Sequence, residues 1–154
     1  MIELYRELAR FERLPPPDDA EAARLGAMIF DERRLEAIVA EADGAVDGIA
    51  VFYWSVGSSF RARPMLFLED LAVAASSRSR GVGTALMSWL AREGVARRAL
   101  RMEWAVLGWN VDAMRFYRRL GASPRQDWVQ YTLDEEAMKR LAGGEPRPGE
   151  SGAA

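Results

Sequence analysis

The chain contains neither cysteine nor histidine. That removes disulfides, thiolate zinc sites, cysteine nucleophiles and every Ser-His or Cys-His couple. Any catalysis must use carboxylates, tyrosine, lysine, Ser/Thr hydroxyls or backbone dipoles. Also missing are an apolar run of membrane-spanning length and the charged-then-apolar N-terminus of a secretory signal. No membrane partner is expected, and a cytoplasmic location follows by default. Neither charge sign dominates: 21 Lys+Arg stand against 23 Asp+Glu, a balance that gives no reason to expect nucleic acid. The basic residues are nearly all arginine, and the cluster Arg97, Arg98 and Arg101 reads as a solvated face rather than a binding patch.

What is present suits an ordinary globular domain. A chain of 154 residues, 49% of them apolar, can bury a sizeable core. Ile2, Tyr5, Leu8 and Phe11 recur at helical spacing, and Pro15–Pro17 end that helix. Asp18 or Asp19 can cap a second helix carrying Ala23, Leu25, Met28 and Ile29. Residues 35–42 and 47–55 read as strands flanking an Asp43-Gly44 turn, with a third strand over roughly 65–74. A glycine-containing loop then runs into a helix, and 101–108 reads as a further strand. Asn110 is a good N-cap for a helix over 111–120 that stops at Gly121. WVQYTL (128–133) alternates like a last strand, and a short helix over 134–142 follows. The expected organisation is one α+β domain over 1–142 with a Gly/Pro-rich disordered tail over 143–154.

Two stretches stand out chemically. MLFLEDLAV (65–73) places Glu69 and Asp70 side by side in an otherwise buried-looking strand. Strict alternation would put Leu66, Leu68 and Asp70 on one face and Phe67, Glu69 and Leu71 on the other, so neither acid is simply the wet side. Burying an unpaired carboxylate costs several kcal/mol, comparable with a domain's whole stability. Either the pair has a function or an arginine neutralises it. The second stretch, Arg78-Ser-Arg-Gly81-Val-Gly83-Thr84, joins a strand to a helix. Glycines let backbone N–H groups turn toward an anion, and a helix N-terminus adds partial positive charge. It is not a P-loop, because no lysine follows, nor a dinucleotide fingerprint, because Leu86 stands where the third glycine belongs. An anion site and an ordinary glycine turn both remain open on this loop alone.

R-x-x-G-x-G after an apolar strand resembles the pyrophosphate-binding loop of the GNAT superfamily of acyl-CoA N-acyltransferases. The succession FLEDLAV, RSRGVGTALMSWL, WAVLGWN and AMRFYRRLGA, with ELARFE near the N-terminus, resembles its diamine (spermidine/spermine-type) and thialysine acetyltransferase branch over roughly residues 6–133. The resemblance implies a mixed α/β fold with a central mixed sheet flanked by helices. It also implies acetyl-CoA as cosubstrate, no metal, a small amine substrate and a homodimer. It assigns Arg78, Arg80, Gly81, Val82, Gly83 and Thr84 to the CoA pyrophosphate, and Leu71 and Val73 to the pantetheine arm. Asn110 is a CoA contact, a helix cap or both.

Transfer in this family is direct, with no acyl-enzyme, which agrees with the lack of cysteine and histidine. The resemblance makes Glu69 the base that deprotonates the amine, through water, and Tyr117 the acid that protonates the leaving thiolate. Periodicity alone would instead place Tyr117 in an apolar stripe with Ala113 and Leu120. Asp70, Glu12 and Asp127 match substrate-groove positions, and Phe11 stands where the branch often has tyrosine. One departure is notable. The family begins with a strand before its first helix, whereas this chain begins inside that helix. Either the start lies upstream or the sheet lacks its first strand and exposes an edge. Rival expectations are acetylation of a protein N-terminus or lysine, and a silent acyl-CoA-binding module.

Overall fold

The three prolines at 15–17 cannot continue a helix, and the aspartate after them starts a new one. Asp18 accepts from the Glu21 N–H at 2.7 Å while the Glu21 carboxylate accepts from the Asp18 N–H at 2.9 Å. This reciprocal cap begins α2, Asp19–Phe30; α1 before it spans Ile2–Glu12. The computed structural model describes residues 2–125 and 129–144. Residues up to Leu120 gather into one compact unit and those from Gly121 into another.

The first unit is an open four-stranded mixed sheet with helices on both faces. Its strands are β1 (Glu36–Ala42), β2 (Ala45–Ser58), β3 (Arg63–Val73) and β4 (Met102–Glu103), in the order β1-β2-β3-β4. β1 and β2 are antiparallel across a turn whose Asp43 and Gly44 have φ of 52° and 76°, as a tight hairpin requires. β2 and β3 are antiparallel, and β3 and β4 parallel. β1 is the outer strand, with no partner on its far side among the described residues. α3 (Val82–Ala96) covers one face, where Leu86, Met87 and Leu90 meet Ala50, Phe52, Leu66 and Leu68. α1 covers the other, where Leu4, Tyr5 and Leu8 meet Ile49, Val51 and Ala72. The deepest residue of α1 is Leu4, one position along from the expected stripe.

Three expectations are corrected. First, β3 does not alternate strictly. Val51 lies opposite Asp70 and Phe52 opposite Leu68, so Glu69 is an extra residue, a bulge. Directly opposed residues share a face, so Leu68 points with Phe52 to the α3 side and Asp70 with Val51 to the α1 side. Leu71 joins the α3 side with Leu68 rather than opposing it. Second, the strand expected over 101–108 shrinks to Met102–Glu103, which pair with Leu66 and Phe67. Beyond that point the chain leaves β3, and among the described residues Leu68–Val73 are paired only with β2. Third, residues 129–133 form no strand, and Trp128 lies outside the described residues. Val129, Tyr131 and Leu133 alternate as a strand would but are exposed. A strand exists only with a hydrogen-bonded neighbour, and the second unit offers none among the described residues.

The connections confirm the cap assignments. Asn110 Oδ1 accepts from the Ala113 N–H at 3.1 Å and begins α4, Val111–Arg119. Gly121 follows α4 with φ 89°. In the second unit Asp134 caps α5, Glu135–Gly143, and Lys139 pairs there with Glu135 at 2.7 Å and Glu136 at 3.2 Å.

β2 approaches α3 most closely at Gly48. A Cβ there would lie 2.8 Å from Val82 Cγ1 and 3.1 Å from the Ala72 carbonyl oxygen. Gly48→Ala should therefore destabilise the protein by about 1–3 kcal/mol through overpacking. A urea titration monitored by tryptophan fluorescence checks this; an unmoved midpoint would mean that α3 shifts aside freely.

Candidate active site

The bulge at Glu69 places two acids where β3 has lost β4 as a neighbour. Asp70, on the α1 side, accepts a 2.7 Å hydrogen bond from the Tyr5 hydroxyl. Burial, then the Asp70 charge, push the Tyr5 phenol far above its usual value, so it remains a donor at any physiological pH. Burial also raises the Asp70 carboxyl above the ordinary range, and the Tyr5 bond offsets part of that rise. The Glu69 carboxyl is raised by burial and then by the adjacent Asp70 charge. Glu12, seven residues after Tyr5 and so on the same face of α1, is raised by burial and again by Asp70. Among the described residues no arginine or lysine pairs with Glu12, Glu69 or Asp70. No neutralising arginine is found among the described residues, and Asp70 has a tyrosine instead. Nor does any group of three such side chains among the described residues converge on a metal position.

Tyr117 of α4 faces this acidic bay. Its ring packs 4.9 Å from Trp104 and 5.2 Å from Phe116, centroid to centroid. Burial, then the Glu12 charge, hold its phenol up at about 12. Its hydroxyl has no hydrogen-bond partner among the described residues. The helix thus seats the ring in the apolar stripe that its spacing suggests, while the hydroxyl has no partner among the described residues.

The glycine loop begins where β3 ends. Arg78 Nε donates to the Val73 carbonyl at 3.3 Å, and its guanidinium lies 6.0 Å from the Phe11 ring centre. Gly81, at φ 89°, precedes α3 in a left-handed conformation that disfavours any side chain, and it supplies no capping group. The first amides of α3, at Val82, Gly83 and Thr84, therefore lack the side-chain acceptor that helix starts usually have. Gly83 has a second reason to be glycine: a Cβ would sit 3.3 Å from Phe116 Cζ and 3.7 Å from Val73 Cγ2. Arg80, Gly81 and Val82 line a cavity of about 250 Å³ with Asp47 and Ala85. Asp47 seats the loop, accepting from Ser77 Oγ at 2.6 Å and, through its carbonyl, from the Ala74 N–H at 2.9 Å. Ser77 is only 2% exposed. Uncapped amides, a left-handed glycine and arginines suit a phosphate group. The unpaired edge at Leu71 and Val73 suits an extended arm running beside a strand.

Glu12, Glu69, Asp70 and Tyr117 thus come together, as do Val73, Arg78 and Gly83. The side-chain oxygen of Asn110 is taken up by its helix cap. Asp127 lies outside the described residues. Sequence reasoning missed Tyr5, Asp47 and Gly48. Tyr5 did carry a signal, since a half-buried aspartate needs a donor and Tyr5 lies a heptad from Glu12. Asp47 and Gly48 carried none beyond being small and polar in a strand.

The acetyltransferase (GNAT) family matches residues 1–122, and the chain belongs to this family of N-acetyltransferase enzymes. It is 30% identical over 154 residues to the thialysine N-epsilon-acetyltransferase of Mus musculus, covering 93% of this chain and 90% of that one. It is also 30% identical over 99 residues to the L-ornithine N5-acetyltransferase of Arabidopsis thaliana, there covering 64% of this chain and 43% of that one. An integron cassette protein from the mobile metagenome of V. cholerae shares the fold. Its TM-score is 0.80 at 22% identity, with 92% of this chain and 88% of that one covered. No helix among the described residues is long and apolar enough to cross a membrane.

The raised carboxyls make a prediction with a definite sign. An acid whose folded pKa exceeds its unfolded one holds its proton more tightly in the folded chain, so ionisation removes stability as pH rises through that window. For Glu69 the window opens at the ordinary value of 4.5 and extends upward. Glu69→Gln should therefore raise Tm at neutral pH, with the gain shrinking on acidification and vanishing below about pH 4. Scanning calorimetry of both proteins from neutral to acid pH measures the gap. A gap independent of pH would show that Glu69 is not held against its charge.

Proposed function

We propose that the protein moves an acetyl group from acetyl-CoA to a primary amine of a small cationic substrate, a diamino acid or a polyamine. The observation that carries this reading is the bay of Glu12, Glu69 and Asp70, which has no basic partner among the described residues and faces the free hydroxyl of Tyr117. A protonated amine relieves both the burial and the mutual repulsion of these acids. The named activities of the two relatives, on thialysine and ornithine, support the same chemical class.

An amine of pKa about 10 enters as an ammonium ion and must lose a proton before it can attack. Glu69, unpaired and raised by its surroundings, takes that proton directly or through one water. Asp70, oriented by Tyr5, and Glu12 hold the cation in place. The free amine attacks the thioester carbonyl, and the C–S bond breaks as the tetrahedral centre collapses. Tyr117 gives its proton to the departing thiolate, and the second proton of the attacking nitrogen passes through water to restore the phenol. The α3 amides at Val82, Gly83 and Thr84, with Arg80, hold the pyrophosphate. The unpaired edge of β3 at Leu71 and Val73 runs beside the pantetheine arm. A silent binding module would have no use for an acidic bay, and three acids beside one another suit a small cation carrying more than one charge.

Amine-dependent thiol release from acetyl-CoA, across polyamines, diamino acids and a lysine peptide, tests the reading. Tyr117→Phe keeps the ring packing and should lower kcat roughly 10²–10⁴-fold, while acetyl-CoA still raises Tm. Glu69→Gln should lose most activity at low pH and recover as free amine appears. No thiol release with any amine would leave only the binding module. Full turnover in Tyr117→Phe, with chemistry rate-limiting, would return Tyr117 to packing alone.

A further inference from the structure

Acids account for an ammonium group, but nothing in the bay answers a carboxylate, and a diamino acid carries one. At the end of α1, Glu12 is the last helical residue and Arg13 follows with φ 63°, outside the helical region. That turn takes the Arg13 side chain off the line of the helix and lays its guanidinium 5.4 Å from the centre of the Trp109 ring. Trp109 also packs against Phe11, at 5.4 Å between centroids, and is 46% exposed. It directly precedes Asn110, the cap of the helix that carries Tyr117. Stacking uses the face of a guanidinium and leaves its N–H edge free. The Arg13 side chain makes no hydrogen bond or ion pair among the described residues, although Glu12 adjoins it. Arg78, on the same aromatic pair, has its Nε engaged by the Val73 carbonyl at the glycine loop.

We propose that Arg13 binds the α-carboxylate of a diamino-acid substrate and so distinguishes diamino acids from polyamines. The inference rests on the amine-acetylating function proposed above. An amino acid's α-carbon carries an ammonium and a carboxylate on neighbouring atoms. Glu12 and Arg13 present the complementary acid and base at neighbouring positions, at the end of the cleft between α1 and α4. The reacting amine then extends inward to Glu69 and Tyr117. A guanidinium resting over an indole is already partly placed, so less side-chain freedom is lost when it meets a carboxylate. A polyamine would meet this same group as a like charge.

The test compares kcat/KM for L-ornithine and for 1,4-diaminobutane, the same skeleton without the carboxylate, by thiol release from acetyl-CoA. Arg13→Ala should lower the ornithine-to-diaminobutane ratio about tenfold, mainly through KM for ornithine. Arg13→Lys should retain much of the ratio, and Arg13→Glu should lower it further by placing like charge at the carboxylate. A structural staple between α1 and Trp109 would instead change both amines alike. An unchanged ratio, or equal loss on both substrates, overturns the assignment and leaves the acetyltransfer reading intact. If the wild type releases thiol with neither amine, the reading of the bay fails and the role of Arg13 falls with it.

Discussion

A single extra residue in β3 organises the site. Without the bulge at Glu69, Asp70 would share the face of Leu66 and Leu68 and be driven into the apolar layer under α3. With it, Asp70 turns toward α1 and meets Tyr5, while the face under α3 stays apolar through Leu71. Near the same point the sheet changes character. β4 pairs only with Leu66 and Phe67, so from Leu68 onward β3 has one paired edge and, among the described residues, one open edge. Bulge and open edge together turn the middle of a core strand into one wall of a cleft.

Much of this was legible in the sequence because it follows from local chemistry. Asp18 and Asn110 cap helices, and Gly44 serves the hairpin turn. The acidic pair in FLEDLAV and the glycines after Arg80 marked the candidate site. Non-local geometry was not legible. The bulge depends on how β2 registers against β3, and no alternation within β3 announces it. The strand expected over 101–108 stopped after two residues because its partner edge diverges, and 129–133 has no neighbour among the described residues. Tyr5 was absorbed into an apolar stripe, since a helical face shows which residues point inward but not what lies opposite them.

Charge is treated differently in the bay and on the surface. Arg6 pairs with Glu3 and Asp19, Arg97 with Glu36 and Glu93, and Arg101 with Glu103. Such exposed pairs each contribute at most about 1 kcal/mol. Glu12, Glu69 and Asp70 receive no such partner among the described residues. Their raised carboxyls are a standing electrostatic strain of the kind that concentrates where a ligand is to supply the missing charge. Tyr5 moderates this strain without cancelling it, because a phenol orients a carboxylate but brings no charge of its own.

The ion pairs of Lys139 bear on how such an enzyme coexists with its own reagent. A thioester acylates thiolates, imidazoles and unprotonated amines indiscriminately wherever it meets them. This chain contains no cysteine or histidine, and Lys139 is its single lysine. Glu135 and Glu136 hold that ammonium group above its ordinary pKa, keeping it protonated and non-nucleophilic. The side chains therefore offer almost no site for self-acylation, which leaves a thioester donor's reactivity to the amine acceptor.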